Sequence, residues 1–492
     1  AIIPNVAKAM FPVIVNGNAA TDALTILAGA SLEIGANGTL TANGAVQNDG
    51  SFVITTDNTG NAGSFIDNGT LTGAGSFSLN RDMMNTGMPG AMSGWHYISS
   101  PVAGLFSHQI ISDYYLNTWN EPVNSWMHHE QTGGVPAMIP LNTMQGWSVK
   151  RDLNYAGPNA TGNVVEFEGP MSNVHTGTLS VNFTATGLEP GDPNNLNNWN
   201  LLGNPYASPI DLATVVLPAE LYDGIYQYDD FALDYIEWVG GVGTQYLPAT
   251  QGFMVKAVNN GTLSFDNSMR THSGSGSFHK SEISALLVIE ASGNNYTDKM
   301  YIRFLDEASE GFDGDWDAYK LLSYAPLVPQ IYSRSGGQNL AINSLPATNS
   351  IQVSFVAGTT GNYTIGAVKS DDFENVILED LSTGAITDLK SETYTFGHDE
   401  AADSDRFVIH FSVAGPENMD DITIYSGNGN VYVIMPAESD GQVMVFNVIG
   451  QEIASGNLRG GWNTIPVSAE NTYCVIRVES AGGMKTEKVF IK

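Results

Sequence analysis

The chain is poor in cysteine, in basic residues and in long apolar stretches, and each shortage excludes a class of protein. Its 492 residues include one cysteine, Cys474, so no internal disulfide can form. Only 19 lysines and arginines stand against 51 acidic residues, and the net charge of −32 repels phosphate backbones and anionic lipid. The chain also lacks an apolar run of about 18 residues, the length of a transmembrane helix. We therefore predict no nucleic-acid partner and no transmembrane segment.

What is present favours many short β-strands. Charged residues make up 14% of the chain, and 53 glycines, together with Asn, Asp and Ser, supply the turns. A hydrophobic share of 42% is enough to build several cores. The sequence begins at Ala1 without an initiator methionine, which we interpret as a mature or truncated product whose export signal lies upstream. The predicted fold class is all-β with several domains.

Residues 1–82 carry a short quasi-repeat in which each unit ends in Gly, Asn or Asp. Apolar residues recur at intervals of eight and then six: Leu24, Leu32 and Leu40, followed by Phe65, Leu71 and Phe77. One such unit cannot bury its apolar side chain alone, but stacked units can, which predicts β-solenoid-like rungs. The alternative is an irregular set of Gly-rich sandwich strands.

Residues 94–272 form a predicted aromatic-rich β-sandwich of jelly-roll type that follows a junction at residues 83–93. Six of the eight tryptophans fall in this segment. Trp126 and Trp238 are candidate ligand-binding residues because exposed rings can stack on sugars, whereas the alternative is that such rings belong to the core.

Two further domains are predicted downstream. A Gly/Ser linker at residues 273–281 precedes a second β-sandwich at 282–413. Residues 418–492 divide into seven alternating strands joined by Gly-containing turns, which predicts a compact Ig-like sandwich.

Several spaced elements of this last domain follow a pattern: an Ile-Gly-Gln turn, a Trp-Asn strand opening, a Tyr-x-Val strand and a terminal Lys-rich strand. The stretch resembles the C-terminal sorting domain of type IX secretion system substrates of Bacteroidota. The resemblance implies a recognition role for eight residues, whereas Cys474 departs from the small or aliphatic residue that is more usual there. The eight are Ile449, Gly450, Gln451, Trp462, Asn463, Tyr473, Lys488 and Lys492.

Upstream segments resemble modules that are common in such substrates, among them WHYISSPVAG (95–104), WNLLGNPYASPIDL (199–212) and GFDGDWDAYKL (311–321). The resemblance implies export across the outer membrane, recognition by the type IX translocon and shuttle proteins, and a secreted or cell-surface location. It implies no activity, because such modules accompany many unlike passengers.

The last strand carries Lys485, Lys488 and Lys492 within an otherwise acidic chain. These lysines indicate an edge strand that is recognised by a partner or protected from aggregation. The alternative is an ordinary charged edge strand.

No motif nominates an active site. The sequence lacks a G-x-S-x-G elbow, an H-E-x-x-H helix and a phosphate-binding glycine loop. The cluster His128-His129-Glu130 is a poor metal site, because adjacent strand residues point to opposite faces. We therefore expect a protein that is not an enzyme.

The acidic run DEASEGFDGDWDAYK holds alternating carboxylates at Asp313, Asp315 and Asp317. Carboxylate oxygens in a loop suit calcium, although Ala318 replaces the glycine of an EF-hand loop. The sequence thus offers a possible Ca²⁺ site, with a solvated acidic loop as the alternative.

These observations favour a structural or adhesin-type surface protein, in which the apolar stretch IIPNVAKAMFPVIV pairs with a neighbouring copy. Two alternatives stay open: a set of carbohydrate-binding modules, and an accessory tail of a secreted hydrolase.

Overall fold

The computed structural model forms two compact units, residues 1–281 and 282–492. No α-helix occurs in the part of the chain that the structure describes, so the predicted all-β fold is confirmed. The described residues are 1–6, 11–57, 61–83, 94–109, 114–129, 138–151, 164–170, 178–187, 197–230, 232–274, 285–373, 375–411, 422–427, 429–436, 439–469, 471–481 and 483–491.

The first unit begins with a β-solenoid of parallel strands, as predicted. One sheet has the order β1-β3-β5-β8, and the other contains β2, β4, β6 and β9 with β7 beside β4. The strands are β1 (Ile2–Ile3), β2 (Val13–Thr21), β3 (Leu24–Ile26), β4 (Ser31–Ala42), β5 (Val46–Asn48), β6 (Ser51–Thr55), β7 (Ser64–Asp67), β8 (Leu71–Thr72) and β9 (Ser76–Asp82).

The register shows that one turn of the solenoid is longer than the repeat in the sequence suggests. Three aligned columns run through the stack, and corresponding positions recur at roughly 20 to 25 residues, an ordinary repeat length for a solenoid. The eight-residue spacing therefore marks successive sides of one turn and not successive rungs. The columns are Leu24–Val46–Leu71, Leu32–Phe52–Phe77 and Leu40–Phe65.

Aromatic rings fill the solenoid interior. Phe52 meets Phe65 edge to face at 4.8 Å and Phe77 at 5.6 Å, and all three are buried. Successive turns approach closely at Gly73, where φ is +109° and a Cβ atom would lie 2.0 Å from the Asn48 carbonyl oxygen. Only glycine fits this corner.

The rest of the first unit is aromatic-rich and mainly antiparallel, with sheet orders β10-β13-β11-β12 and β16-β22-β18-β19-β20. Strand β14 returns to pair with β9 of the solenoid. The strands are β10 (His96–Ser99), β11 (Tyr114–Asn120), β12 (Ser125–His128), β13 (Gly146–Arg151), β14 (Val164–Glu168), β15 (Thr178–Phe183), β16 (Trp199–Gly203), β17 (Ile210–Asp211), β18 (Leu221–Asp229), β19 (Asp234–Val239), β20 (Val242–Gly243), β21 (Tyr246–Leu247), β22 (Gly252–Ala257) and β23 (Gly261–Asp266).

A buried polar tie fastens residues 270–272 to the solenoid. Arg270 donates to the Asp67 carboxylate at 2.6 Å, and both side chains are buried. His272 bridges Thr41 and Ser64, with 2.8 Å between each ring nitrogen and hydroxyl oxygen. The solenoid and the sandwich that follows it therefore share hydrogen bonds as well as apolar contacts.

The second unit opens with an eleven-stranded sheet of order β32-β31-β34-β29-β27-β28-β25-β24-β30-β33, with β26 beside β28. Its core contains Phe355, which meets Phe396 edge to face at 5.0 Å. The strands are β24 (Leu286–Gly293), β25 (Tyr296–Phe304), β26 (Ala318–Tyr319), β27 (Gln330–Ser335), β28 (Gln338–Leu345), β29 (Ser350–Val356), β30 (Gly361–Lys369), β31 (Val376–Asp380), β32 (Ala385–Asp388), β33 (Tyr394–His398) and β34 (Phe407–Phe411).

The last seven strands form two small sheets, β35-β36-β39 and β38-β37-β40-β41. Their inner faces share a core that contains the buried Cys474, Ile476 and Val478. Burial raises the pKa of the Cys474 thiol, as expected for a core residue. The strands are β35 (Thr423–Gly427), β36 (Asn430–Met435), β37 (Gly441–Asn447), β38 (Glu452–Leu458), β39 (Gly461–Pro466), β40 (Thr472–Ser480) and β41 (Gly483–Ile491).

The predicted division into four domains remains a prediction. Residues 84–93 of the predicted junction at 83–93 lie outside the described residues, as do residues 275–281 of the predicted linker at 273–281 and Glu130.

Candidate functional site

The solenoid has an apolar end formed by β1 and β2, which we name the solenoid edge. Each is the outermost strand of its sheet, and neither has an outer strand partner among the described residues. Three side chains here are exposed: Ile2 by 69%, Val13 by 49% and Val15 by 59%. Ile14 packs against the core instead, as the strand alternation requires. An apolar strand edge of this kind can pair with a further strand.

At the opposite end of the larger solenoid sheet, a later strand covers β9. Strand β14 pairs with β9 in antiparallel orientation from Val164 opposite Asp82 to Glu168 opposite Ser78. Val165 and Phe167 of β14 are buried in the solenoid core. Strand β14 therefore covers β9, and the outermost strands of this sheet are β14 and the more apolar β2.

In the C-terminal strands, the predicted Ile449-Gly450-Gln451 element is a tight turn between β37 and β38. Asn447 organises it, since its side-chain oxygen accepts from the Ile449 amide at 3.1 Å and the Gln451 amide at 3.0 Å. Gly450 has φ of +83°, which favours glycine. Ile449 is 75% exposed, so the turn presents an apolar side chain to solvent.

Trp462 and Asn463 lie in the other C-terminal sheet and serve its internal structure. The Asn463 amide nitrogen donates to the Arg459 carbonyl at 2.7 Å, and its oxygen accepts from the Arg459 amide at 3.0 Å. The Trp462 ring packs on Tyr432 at 4.9 Å and Tyr425 at 5.6 Å. These contacts give both residues a structural role.

Tyr473 and Lys488 meet on the outer face of the C-terminal sheet. The Lys488 ammonium lies 4.3 Å from the centre of the Tyr473 ring, a cation–π distance, and Tyr473 meets Phe490 at 5.0 Å. Asn447 is paired with Cys474, so the exposed Ile449 turn lies at the same end of this sheet. Lys492 lies outside the described residues.

Sequence reasoning missed part of this outer face. Phe490 is 39% exposed opposite Tyr473, and Phe446 of β37 is the cross-strand neighbour of Val475. The available signal was alternation in β37, where Val443 and Val445 are buried and Phe446 points the other way.

The acidic loop uses its carboxylates internally. Both oxygens of the buried Asp317 accept backbone N–H groups, one from Ser344 and one from Asp313, each at 2.7 Å. Burial raises the pKa of Asp317 to about 7, and the nearby Asp313 charge adds to the shift. Asp315 is exposed, and its backbone N–H donates to the Asp313 carboxylate at 3.3 Å.

Within the described ranges, no group of three or more His, Cys, Asp or Glu side chains is placed to hold a metal ion. His128 contacts Asn117 at 2.8 Å and His129 contacts Thr118 at 2.9 Å, so the adjacent rings have different partners. Calcium binding stays an untested prediction.

Trp126 belongs to an aromatic cluster. Its ring is half-buried and meets Trp119 edge to face at 5.1 Å and Tyr97 at 5.7 Å. Tyr97 in turn meets Tyr228 at 5.5 Å and shares a 2.7 Å hydrogen bond with the Tyr235 hydroxyl. These contacts give Trp126 a packing role at the border of the cluster, and ligand binding by this residue stays a prediction.

Trp238 lies on the other face of strand β19. It follows Tyr235 by three residues, and strand residues separated by an odd number point to opposite faces. The structure therefore does not join Trp126 and Trp238 in one platform. Trp238 is half-buried at the wall of a separate surface cleft.

A polar cavity of about 260 Å³ is lined in part by Arg81, Asp230 and Gln251. Arg81 donates to the Thr250 carbonyl and to the Gln251 side chain, both at 2.9 Å, and burial lowers its pKa. Burial would raise the pKa of Asp230, but hydrogen bonding to His96 and the Arg81 charge lower it overall. These hydrogen bonds join residues that are distant in the chain, which gives Arg81 and Asp230 a structural role. No local sequence pattern predicts this cavity, because the residues that line it lie far apart in the chain.

The fold defines an all-β protein in which a β-solenoid leads into serial β-sandwiches. The chain belongs to the family described as a domain of unknown function, DUF8693, whose model matches residues 1–230 and 216–411. The matched ranges end before the C-terminal sheets. No helix in the described part of the chain has the length and apolar character needed to cross a bilayer.

Two similarities accompany the family match. The chain is 25% identical over 336 residues to the minor fimbrium subunit Mfa5 of Porphyromonas gingivalis, a match that covers 59% of this chain and 26% of the relative. The match therefore spans about a quarter of that relative's length. A solved BSP domain of a biofilm-associated protein aligns over 84% of this chain and 98% of its own, with 10% identity and a TM-score of 0.14, which is too low to support a shared fold.

Proposed function

We propose that this chain is a non-enzymatic structural subunit of a bacterial cell-surface or secreted assembly, and that copies associate through the solenoid edge. The observation that carries the proposal is the pair of outermost strands β1 and β2 with exposed Ile2, Val13 and Val15. Similarity to a fimbrium subunit supports a surface, self-assembling role. A head-to-tail contact of unlike surfaces builds an open filament when the rotation between copies does not close into a ring.

The edge can be tested directly. Val13→Lys with Val15→Lys places two charges beside the unpaired backbone, which is how natural edge strands block pairing. We expect this variant, and deletion of residues 1–15, to abolish polymers in electron micrographs and to sediment as a monomer. Val216→Lys is the matched control, because Val216 is 83% exposed and lines a cleft that contains no residue of β1 or β2. Unchanged polymers in the double variant would refute the proposal.

We further propose that residues 418–492 act as a type IX secretion signal read by the translocon and its shuttle proteins. The exposed Ile449 turn and the outer face with Tyr473 and Lys488 support recognition at one end of the sheet. A periplasmic reporter fused to residues 418–492 should appear outside cells of a host with the system. Retention of the fusion in the periplasm contradicts the proposal.

Tyr473→Ala provides a sharper test of the surface. The substitution removes an exposed ring that contacts Phe490 and Lys488 on the outer face of the sheet. It leaves the buried side chains of the core unchanged. We expect the fusion to fold, as judged by protease resistance, and to be exported less. Asn463→Ala should instead reduce folding, because Asn463 closes the turn at Arg459.

A further inference from the structure

A surface cleft in the first unit lies beside the half-buried Trp238 ring. Its volume is about 580 Å³, within the range typical of small-molecule sites. One wall is the segment with Leu212, Val215 and Leu217, and the other is the end of strands β18 and β19 with Ile225 and Trp238. The two walls of the cleft are therefore mainly apolar, and one of them contains an aromatic ring.

Glycines lie beside the Trp238 ring and place no side chain against it. Its cross-strand neighbour in β20 is Gly243, which contributes no side chain. Gly243 has φ of +98°, and a Cβ atom there would lie 1.9 Å from the Glu237 carbonyl oxygen. The turn residues Gly240 and Gly241, both with positive φ, also line the cleft. No larger residue is tolerated at Gly243, so no side chain from this position can cover the ring.

Two polar side chains also line the cleft, next to these apolar walls. Asp223 is exposed and presents a carboxylate. The Gln245 amide nitrogen donates to Asp211 at 2.9 Å, which fixes the orientation of the amide group. The cleft thus combines an aromatic face with oxygen acceptors at its rim, and such acceptors orient ligands that carry hydroxyl donors.

We propose that the Trp238 cleft binds the ring of a neutral hexopyranose sugar. A pyranose has an apolar C–H face that can lie against the indole and hydroxyls at its rim that can donate to Asp223 and Gln245. The net charge of −32 disfavours uronic or sulfated sugars. An apolar peptide carries few side-chain hydroxyl donors for the oxygen acceptors at the rim. This binding is a further activity and does not depend on assembly through the solenoid edge.

The test measures binding of methyl glycosides of glucose, galactose and mannose, and of glucuronate, to the full chain by saturation-transfer NMR. We expect at least one neutral glycoside to bind, and Trp238→Ala to weaken it on the order of tenfold, equivalent to about 1.4 kcal/mol. Trp238→Phe should retain most of the affinity, because an aromatic face remains. Asp223→Asn should weaken binding by less. Tyr115→Ala, which removes an exposed ring elsewhere, should bind as the parent does.

Three results would overturn the proposal: no neutral glycoside bound at about 10 mM, a concentration that detects very weak sites; unchanged binding in Trp238→Ala; or stronger binding of glucuronate. Circular dichroism and the unfolding temperature of each variant check the fold, and Trp238→Phe decides the matter if Trp238→Ala unfolds. The Val13→Lys, Val15→Lys variant should bind sugar normally, so failure of the assembly proposal and failure of this one are distinguishable.

Discussion

The solenoid and the C-terminal sheet treat charge and strand edges in opposite ways. The solenoid buries its ion pair, Arg270 with Asp67, and leaves apolar side chains exposed at β1 and β2. The C-terminal sheet keeps its ion pair, Arg477 with Glu479, near solvent. Its edge strand β41 is tied down by polar contacts to the strand segment beside it. Natural proteins protect edge strands from association with charged side chains or with covering segments. An uncovered apolar edge strand can instead pair with another strand.

The largest effect expected from this contrast concerns the two ion pairs. Arg270→Met leaves the Asp67 carboxylate in the interior without its cation and should cost about 3–5 kcal/mol of local stability. Arg477→Met breaks a solvent-screened pair and should cost about 1 kcal/mol or less. Native-state hydrogen exchange of β7 and β40 amides reports each region separately.

A compensating variant sharpens that comparison. Arg270→Met with Asp67→Leu removes both charges, so the loss should be much smaller than in Arg270→Met alone. Equal losses in Arg270→Met and Arg477→Met would show that burial does not distinguish the two pairs.

The next effect is a difference in pH response between the two units. Burial and the Arg270 charge lower the pKa of His272 to about 4, from 6.5. The folded state then binds fewer protons than the unfolded one, so stability around His272 is complete above pH 6.5 and falls as the pH drops towards 4. Asp317 has the reverse shift, from 3.8 to about 7, so its region is most stable below pH 3.8 and weakens as the pH rises towards 7.

Protease susceptibility between pH 4 and 7, measured with an acid protease and a neutral protease over their overlapping range, checks both signs. Cleavage near β4 and β7 should increase on acidification, and His272→Gln should flatten that trend. Cleavage near residues 313–345 should increase towards neutral pH, and Asp317→Asn should flatten it. A common direction in both units contradicts the assignment.

The sequence predicted element types better than it predicted their arrangement. Gly- and Asn-marked turns and alternating strands indicated the all-β class, and short repeats indicated the solenoid. The rung length was wrong because the aligned column that begins with Leu32 continues as Phe52 and Phe77, so no single residue type repeats. Side-chain partners such as Arg81 and Asp230 are separated by too many residues for any local pattern to join them.

The smallest effect concerns the tied edge of the C-terminal sheet. Ser426 donates to the Phe490 carbonyl at 2.7 Å and Lys485 donates to the Ile422 carbonyl. Each bond contributes about 1 kcal/mol, so Ser426→Ala with Lys485→Met should lower local stability only modestly. If these two hydrogen bonds distinguish β41 from the solenoid edge, the double variant should self-associate in sedimentation experiments. The control is Lys299→Met, a change at an exposed lysine of β25, which should not self-associate. A variant that stays as monomeric as the Lys299→Met control would mean that β41 is protected by its twist or by its remaining charges, and that bare strand edges alone do not explain association at β1 and β2.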